Sequence, residues 1–199
     1  MKKLILILIL NCLLICCGRN NSEKKSLATE KPTQDFSSLR FMETKLVEYD
    51  IDSLANFNEI LKILDKIDCL SEYAMFKLDT EEKIYRIQPL QICESIFDYK
   101  LRQILYINSD KVTVNHQIKF PIDSLKKVLK NHLLNPNNDE NYPSLTDKKL
   151  ISINVDNNKD ISEVKRLLLR IVSDVNELGA KVNFSFIFEN HGIIKVIEE

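Results

Sequence analysis

Acidic and amide side chains alternate between residues 156 and 160, a spacing that suits a cation. Asp156, Asn158 and Asp160 have the pattern with which an EF-hand loop begins to bind calcium. Such a loop needs a glycine next and a carboxylate at its twelfth position, where this chain has isoleucine and leucine. Asp160 with Glu163 three residues later instead matches a reciprocal helix N-cap. We therefore expect a helix to begin at Asp160, and we do not expect residues 156–160 to bind a metal ion.

The remaining polar side chains do not form a catalytic pattern. The three histidines, His116, His132 and His191, have no partner at metal-ligand spacing and are expected to be exposed. Asp139 and Glu140 are expected to form a solvated acidic loop tip, with a carboxylate site for a metal or a sugar as the alternative. With only three glycines, the chain cannot form a phosphate-binding loop. We expect a non-enzymatic protein with no catalytic residue, no cofactor and no metal.

Three phenylalanines alternate along a strongly apolar segment near the C-terminus. Phe184, Phe186 and Phe188 would lie on one face of a strand. Such a stripe is typical of a sheet face packed into the core, and the alternative is a surface on which sugars or bases stack. A C-terminal strand at 193–197 is a further candidate, since an edge strand can pair with another chain.

The N-terminus has the layout of an export signal. Lys2 and Lys3 precede a mostly apolar run at 4–15. Twelve residues reach roughly 18 Å as a helix, short of the ~30 Å hydrocarbon core, which disfavours a permanent membrane span. Removing residues 1–16 leaves 183 residues with 26 basic and 29 acidic side chains, a net charge of −3. That balance gives no reason to expect nucleic acid as a partner.

The end of this segment resembles the lipobox of bacterial lipoproteins. Leu14 stands three residues before Cys17, and the small Cys16 directly precedes it. The resemblance implies that Cys17 becomes the lipidated, palmitate-bearing N-terminus; Cys16 and Cys12 fit the pattern less well. In such lipoproteins Gly18 after the cysteine favours the outer membrane over retention at the inner membrane. The domain can face either the periplasm or the exterior, and we expect the periplasmic side. The alternatives are a plain cleaved signal and an uncleaved anchor.

Two further cysteines, Cys69 and Cys93, remain in the mature chain. In an exported protein they can form a disulfide closing a loop of about 25 residues, which would contribute about 3 kcal/mol on the chain-entropy model. The alternative is two separate buried thiols that pack as small apolar groups.

Hydrophobic periodicity divides the mature chain into three parts. Residues 17–38 are polar and predict a flexible tether. Residues 39–100 predict a small α+β region with a helix at 54–67, capped by Asp52 or Ser53, and a hairpin of 73–78 with 83–88.

Residues 101–199 predict a second α+β region with sharper patterns. The expected strands are 104–108, 112–118, 150–155 and 182–188; the expected helices are 121–134, begun by Pro121, and 161–178, ended by Gly179. The order β-β-α-β-α-β predicts an α+β two-layer sandwich on a mixed sheet, whose last crossover joins parallel strands.

This second region resembles the periplasmic domain of the ExbD/TolR biopolymer-transport family. The likeness lies in the strand ILYIN at 104–108, the turn at 109–111, VTVN at 112–115, and the helix and strand spacing of 122–133, 151–156, 164–179 and 182–186. It implies a domain that dimerises or meets envelope proteins. Family members also have a membrane-embedded aspartate for proton coupling, and the apolar segment here contains no Asp or Glu. We expect an envelope-anchored protein-interaction module, or alternatively a module that binds cell-wall glycan or another small ligand.

The lipobox interpretation predicts the mass of the mature protein. Intact mass spectrometry should give a chain that begins at Cys17 and carries acyl groups, whereas a Cys17→Ser variant should carry none. A product that retains Met1, or an unacylated wild type, would contradict the interpretation.

Overall fold

A computed structural model describes residues 31–36, 45–68, 71–91, 98–179 and 182–189, which contain nine strands and three α-helices. The strands are β1 (Thr33–Phe36), β2 (Lys45–Asp50), β3 (Glu72–Asp79), β4 (Ile84–Ile87), β5 (Ile104–Ile107), β6 (Lys111–Val114), β7 (Ile118–Pro121), β8 (Leu150–Ile153) and β9 (Ser185–Phe188). The helices are α1 (Phe57–Lys66), α2 (Leu125–Leu134) and α3 (Ile161–Glu177). Short 3-10 helices lie at Ile51–Ser53, Leu101–Gln103 and Ile122–Ser124.

The first sheet has the strand order β1-β4-β3-β2. Strands β2 and β3 are parallel and joined through α1, while β3 and β4 form the antiparallel hairpin that the sequence predicts. Strand β1 lies beside β4 in parallel register, although its residues fall within the segment expected to be a tether. Long-range partners hold β1 there: Asp35 accepts two hydrogen bonds of 2.7 Å from Arg86, and Gln34 and Asn176 exchange amide hydrogen bonds.

The second sheet has the order β7-β6-β5-β8-β9. Strand β5 is antiparallel to β6, and β5, β8 and β9 are parallel to one another. The β8–α3–β9 crossover therefore joins parallel strands as predicted, and Gly179 follows α3 with a φ of 64° that suits glycine. The α+β class with a mixed sheet is confirmed.

The predicted strand 112–118 is wrong in detail because the chain reverses within it. Asn115 and His116 have positive φ values of 46° and 61°, and Gln117 N–H donates to the Val114 carbonyl across the turn. Positive φ at two successive residues is what a type I′ turn requires, and asparagine tolerates it well. The chain therefore makes two strands, and the order becomes β-β-β-α-β-α-β.

Pro121 ends a strand and does not begin a helix as predicted. It is the last residue of β7, an outer strand of the described sheet, where a residue without an N–H group is tolerated. A 3-10 turn then leads into α2, whose apolar face matches the predicted spacing: Leu125, Val128, Leu129 and Leu133 are buried.

One hydrophobic core joins the two regions that the sequence divides near residue 100. It contains side chains of all three helices and of both sheets, among them Ile60, Phe76, Leu105, Val172 and Phe188. The opposite face of the second sheet buries a smaller cluster of Ile104, Tyr106, Leu150 and Ile187. Part of this opposite face is therefore buried as well.

Helices α1 and α3 begin against each other and supply each other's missing hydrogen-bond partners. Phe57 N–H donates to the Lys159 carbonyl (3.0 Å), and Asn58 N–H to the Asn157 carbonyl (2.8 Å). In return, Ile161 N–H donates to the Ala55 carbonyl (3.1 Å). First-turn N–H groups have no partner inside their own helix, so each helix completes the other.

This arrangement explains why α1 does not begin at residue 54 as predicted. The capping side chain in this segment is Asp50, which accepts from the Asp52 N–H at the start of the 3-10 turn; the Asp52 carboxylate accepts from Lys165 instead. Asn56 is the N-cap of α1, but its side chain forms no capping hydrogen bond. Carbonyls about 100 residues away cap the helix instead.

Several predictions concern residues outside the described part. Cys17, Cys69, Cys93, His191 and the strand at 193–197 lie there. Among the described residues, no helix has the length and apolarity needed to cross a membrane.

The N-cap of α3 is confirmed and can be tested by substitution. The Asp160 carboxylate accepts from the Ser162 N–H (2.8 Å). Asp160→Ala should lower the free energy of unfolding by about 1 kcal/mol and Asp160→Ser by less, because serine keeps a capping oxygen. Urea unfolding measures both; Ser173→Ala, at an exposed position of the same helix, is the matched control. An Asp160→Ala protein as stable as that control would contradict the capping role.

Candidate functional site

A row of depressions follows the edge at which β5 and β8 end. Because these strands are parallel, the turn at 108–110 and the loop at 154–158 leave the sheet side by side. The first continues into the neighbouring strand β6 and the second into α3, so the chain diverges at this point. Ligands of open parallel sheets commonly bind where connections diverge in this way. We call this surface, formed by residues 108–110 and 154–158 with the side chains around them, the carboxyl-edge cleft.

Three adjoining depressions make up the cleft. Their volumes are about 340, 470 and 360 Å³. The first and second share Ser109, Asp110 and Val155, while the second and third share Asn108 and Asn154. The cleft is therefore elongated and continuous across the edge of the sheet.

The turn at 108–110 is fixed by its own side chain. The Asn108 Oδ1 accepts hydrogen bonds from the N–H groups of Asp110 (3.0 Å) and Lys111 (2.9 Å). The Asp110 carbonyl accepts from Ile122 N–H (2.9 Å) after the next hairpin. The Asp110 side chain is exposed, and no ion-pair partner lies within 4 Å among the described residues.

The loop at 154–160 is equally constrained. Asn154 N–H donates to the Ile107 carbonyl (2.9 Å), and Asp156 accepts from Asn158 N–H through its side chain (2.8 Å). Asp160 caps α3, and its pKa is lowered chiefly by the hydrogen bonds from Ser162. These oxygens are used for turns and caps, and the described residues contain no group of three or more side chains suited to a metal ion.

The first depression combines an apolar floor with charged walls. Val155 and Val164 are buried below it, and Arg166 and Arg170 stand one helical turn apart on the exposed face of α3. Lys159 and Glu163 form an ion pair, which raises the pKa of Lys159. Glu163 therefore completes an ion pair in place of the second half of the predicted reciprocal cap.

The third depression lies on the other face of the sheet. Tyr106, Lys111, Thr113, His116 and Lys119 line it. The ring centroids of Tyr106 and His116 are 6.2 Å apart in an edge-to-face arrangement. Burial, reinforced by the charge of Glu189, raises the pKa of Tyr106.

A buried polar pair lies beside this depression. Ser152 donates from its hydroxyl to the Glu189 carboxylate, and both residues are buried. Ser152 stands opposite Tyr106 in the β5–β8 register, so all three polar groups lie near the ends of the parallel strands. The Tyr106 hydroxyl has no hydrogen-bond partner within the described ranges.

The structure places the candidate residues predicted from the sequence in different parts of the fold. His116 lies in the cleft, half-buried, whereas His132 is fully buried within α2, so its predicted exposure is wrong. Asp139 and Glu140 are exposed as expected, and Asp139 accepts from the Asn141 N–H (2.9 Å). Phe186 and Phe188 are buried in the core, as the packing interpretation predicts, and Phe184 packs against that core.

A second basic residue, Lys149, is buried near His132. Lys149 is 3 % exposed and donates from its ammonium to the carbonyls of Leu145 (2.8 Å) and Asp147 (3.0 Å). Burial, with a further contribution from the Lys149 charge, lowers the pKa of His132 from 6.5 to about 3. The imidazole is thus kept neutral between α2 and the loop that follows it.

Sequence reasoning missed the main charges of the cleft. Asp110 lies more than 50 residues before Arg166 and Arg170 in the chain, and the three line the same depression because β5 and β8 are adjacent. The one local signal is the arginine pair, four residues apart on the polar face of a predicted helix.

Comparisons with protein-family models, with curated proteins and with solved structures found no match for this chain. The likeness to the ExbD/TolR domain remains an expectation drawn from the sequence.

The buried histidine predicts an acid-sensitive fold. Its pKa is about 3 in the folded chain and near 6.5 when unfolded, so the unfolded chain takes up one more proton between these values. The stability contributed by neutral His132 is complete above the unfolded pKa and is lost as the pH falls towards the folded one. The free energy of unfolding of His132→Leu, measured with urea, should therefore rise relative to that of the wild type as the pH is lowered from about 7 to about 4.5. An unchanged difference between the two proteins across this range would contradict the assignment.

Proposed function

We propose that this protein is an envelope-anchored lipoprotein whose α+β body binds partner proteins through the carboxyl-edge cleft. The anchor is the lipidated Cys17, and the favoured location is the outer membrane facing the periplasm. The body acts without catalysis, as an interaction module.

The observation that carries this proposal is the form of the cleft. It is an elongated, open surface made from three joined depressions, with charged side chains around it and walls formed by two loops that internal hydrogen bonds hold in place. An extended segment of a partner fits such a surface better than a small molecule does, since small-molecule sites are concave and enclose most of their ligand. Because the loops are already hydrogen-bonded in place, binding costs little ordering of the protein.

The alternative, a module that binds cell-wall glycan, loses one of its supports. Phe186 and Phe188 are 1 % and 5 % exposed and Phe184 is half-buried against the core, so the three rings do not form an exposed stacking surface for a sugar. Partner binding at the cleft does not depend on that stripe.

Site-specific photo-crosslinking in cells tests the proposal. A benzophenone amino acid at the exposed Asn158 of the full lipidated chain should give discrete adducts on blots of the envelope fraction. The same group at Lys130, exposed on α2 and outside the cleft, should not give them. An adduct of twice the chain mass would identify a second copy as the partner. No adduct at Asn158, or the same adducts from both positions, would contradict the proposal.

A further inference from the structure

The first depression of the cleft contains an uneven set of charges. Three cationic side chains (Lys159, Arg166 and Arg170) and two anionic ones (Asp110 and Glu163) line it, a net charge of +1. The ion pair of Lys159 with Glu163 neutralises one charge of each sign. Two arginines and one aspartate then remain among the lining side chains. Asp160 interacts electrostatically with Arg166, and Asp174 with Arg170, but neither guanidinium has an ion-pair partner within 4 Å among the described residues.

Below these charges lies an apolar floor. Val155 and Val164 are nearly inaccessible, while Ile122 and Leu167 are half-buried and still present some surface to the depression. The volume of about 340 Å³ suits one side chain with the groups next to it, at the lower end of the range for ligand pockets. The depression therefore offers an apolar contact beside an anion contact.

We infer that this depression binds a carboxylate attached to a short aliphatic group, as found at the C-terminus of a peptide that ends in an aliphatic residue. Arg166 and Arg170 hold the carboxylate, because a guanidinium donates two parallel hydrogen bonds to a planar anion. The aliphatic group lies on Ile122 and Leu167. The inference rests on the proposed binding function and specifies the chemistry of the partner at one end of the cleft.

The apolar floor favours a carboxylate that carries an aliphatic group over inorganic phosphate, which has no apolar part to lie on Ile122 and Leu167. Asp110 repels an anion that enters the depression, so removing its charge should strengthen carboxylate binding. A cationic ligand would respond in the opposite direction.

Saturation-transfer NMR on the full acylated protein in nanodiscs, with empty nanodiscs as the blank, tests the inference. The probe is acetyl-leucine, which should bind with a dissociation constant on the order of millimolar. Acetyl-leucinamide, the same molecule without the negative charge, should not bind, and inorganic phosphate at equal concentration should not displace the probe.

Variants then locate the site. Arg166→Gln with Arg170→Gln should weaken acetyl-leucine binding about tenfold, whereas Lys130→Gln, the same charge change outside the cleft, should leave it unchanged. Asp110→Asn should strengthen it about twofold. Circular dichroism of each variant establishes that it is folded.

Equal binding of the amide, displacement by phosphate, no binding of the probe, or full affinity in the folded double variant would overturn the inference. Crosslinks from Asn158 that persist in such a case would leave the binding function standing and remove only the carboxylate assignment. If both the crosslinks and probe binding fail, the proposed function fails with the inference.

Discussion

The reciprocal capping of α1 and α3 is the constraint on which the rest of the structure depends. Phe57 and Asn58 donate to carbonyls of the loop before α3, and Ile161 donates back to the residue before Asn56. Separating the two helix ends would break three backbone hydrogen bonds, each of which contributes about 0.5–1.5 kcal/mol net to stability. The positions of the two helices are therefore coupled. The coupling explains why the first sheet and the second share a single core despite their separation along the chain.

The same loop serves as one wall of the carboxyl-edge cleft. Residues 157 and 159 cap α1 through their carbonyls, while the neighbouring Asp156 and Asp160 hold the turn and the start of α3. The opposite wall is fixed by Asn108. A surface with both walls held by internal hydrogen bonds is prepared for binding before a partner arrives, which reduces the entropic cost of association. In this protein, the interaction that holds the fold together also shapes the proposed site.

Short-range sequence patterns correctly predicted the elements that depend on residues close together in the chain. The hairpin β3–β4, the crossover from β8 through α3 to β9, and the stop at Gly179 follow from periodicity, caps and a left-handed glycine. Long-range partners decided the features that were missed. Strand β1 is polar and four residues long, and its partner Arg86 lies 51 positions away. His132 follows the helical spacing of the buried face of α2, but its polarity favoured exposure. In the candidate site, Asp160 was predicted correctly as the start of a helix. Asp110 and Arg166 line the same depression only because two strands pair that no local pattern specifies.

Native-state hydrogen exchange at three amides tests the central constraint most directly. The N–H groups of Phe57, Asn58 and Ile161 donate the hydrogen bonds that join the start of α1 to the start of α3. If reciprocal capping couples the helices, these amides should exchange only through global unfolding, with the same free energy of opening as the central strands β5 and β8. Fast exchange of all three amides while those strands remain protected would show that the helix ends separate freely, and would contradict the account.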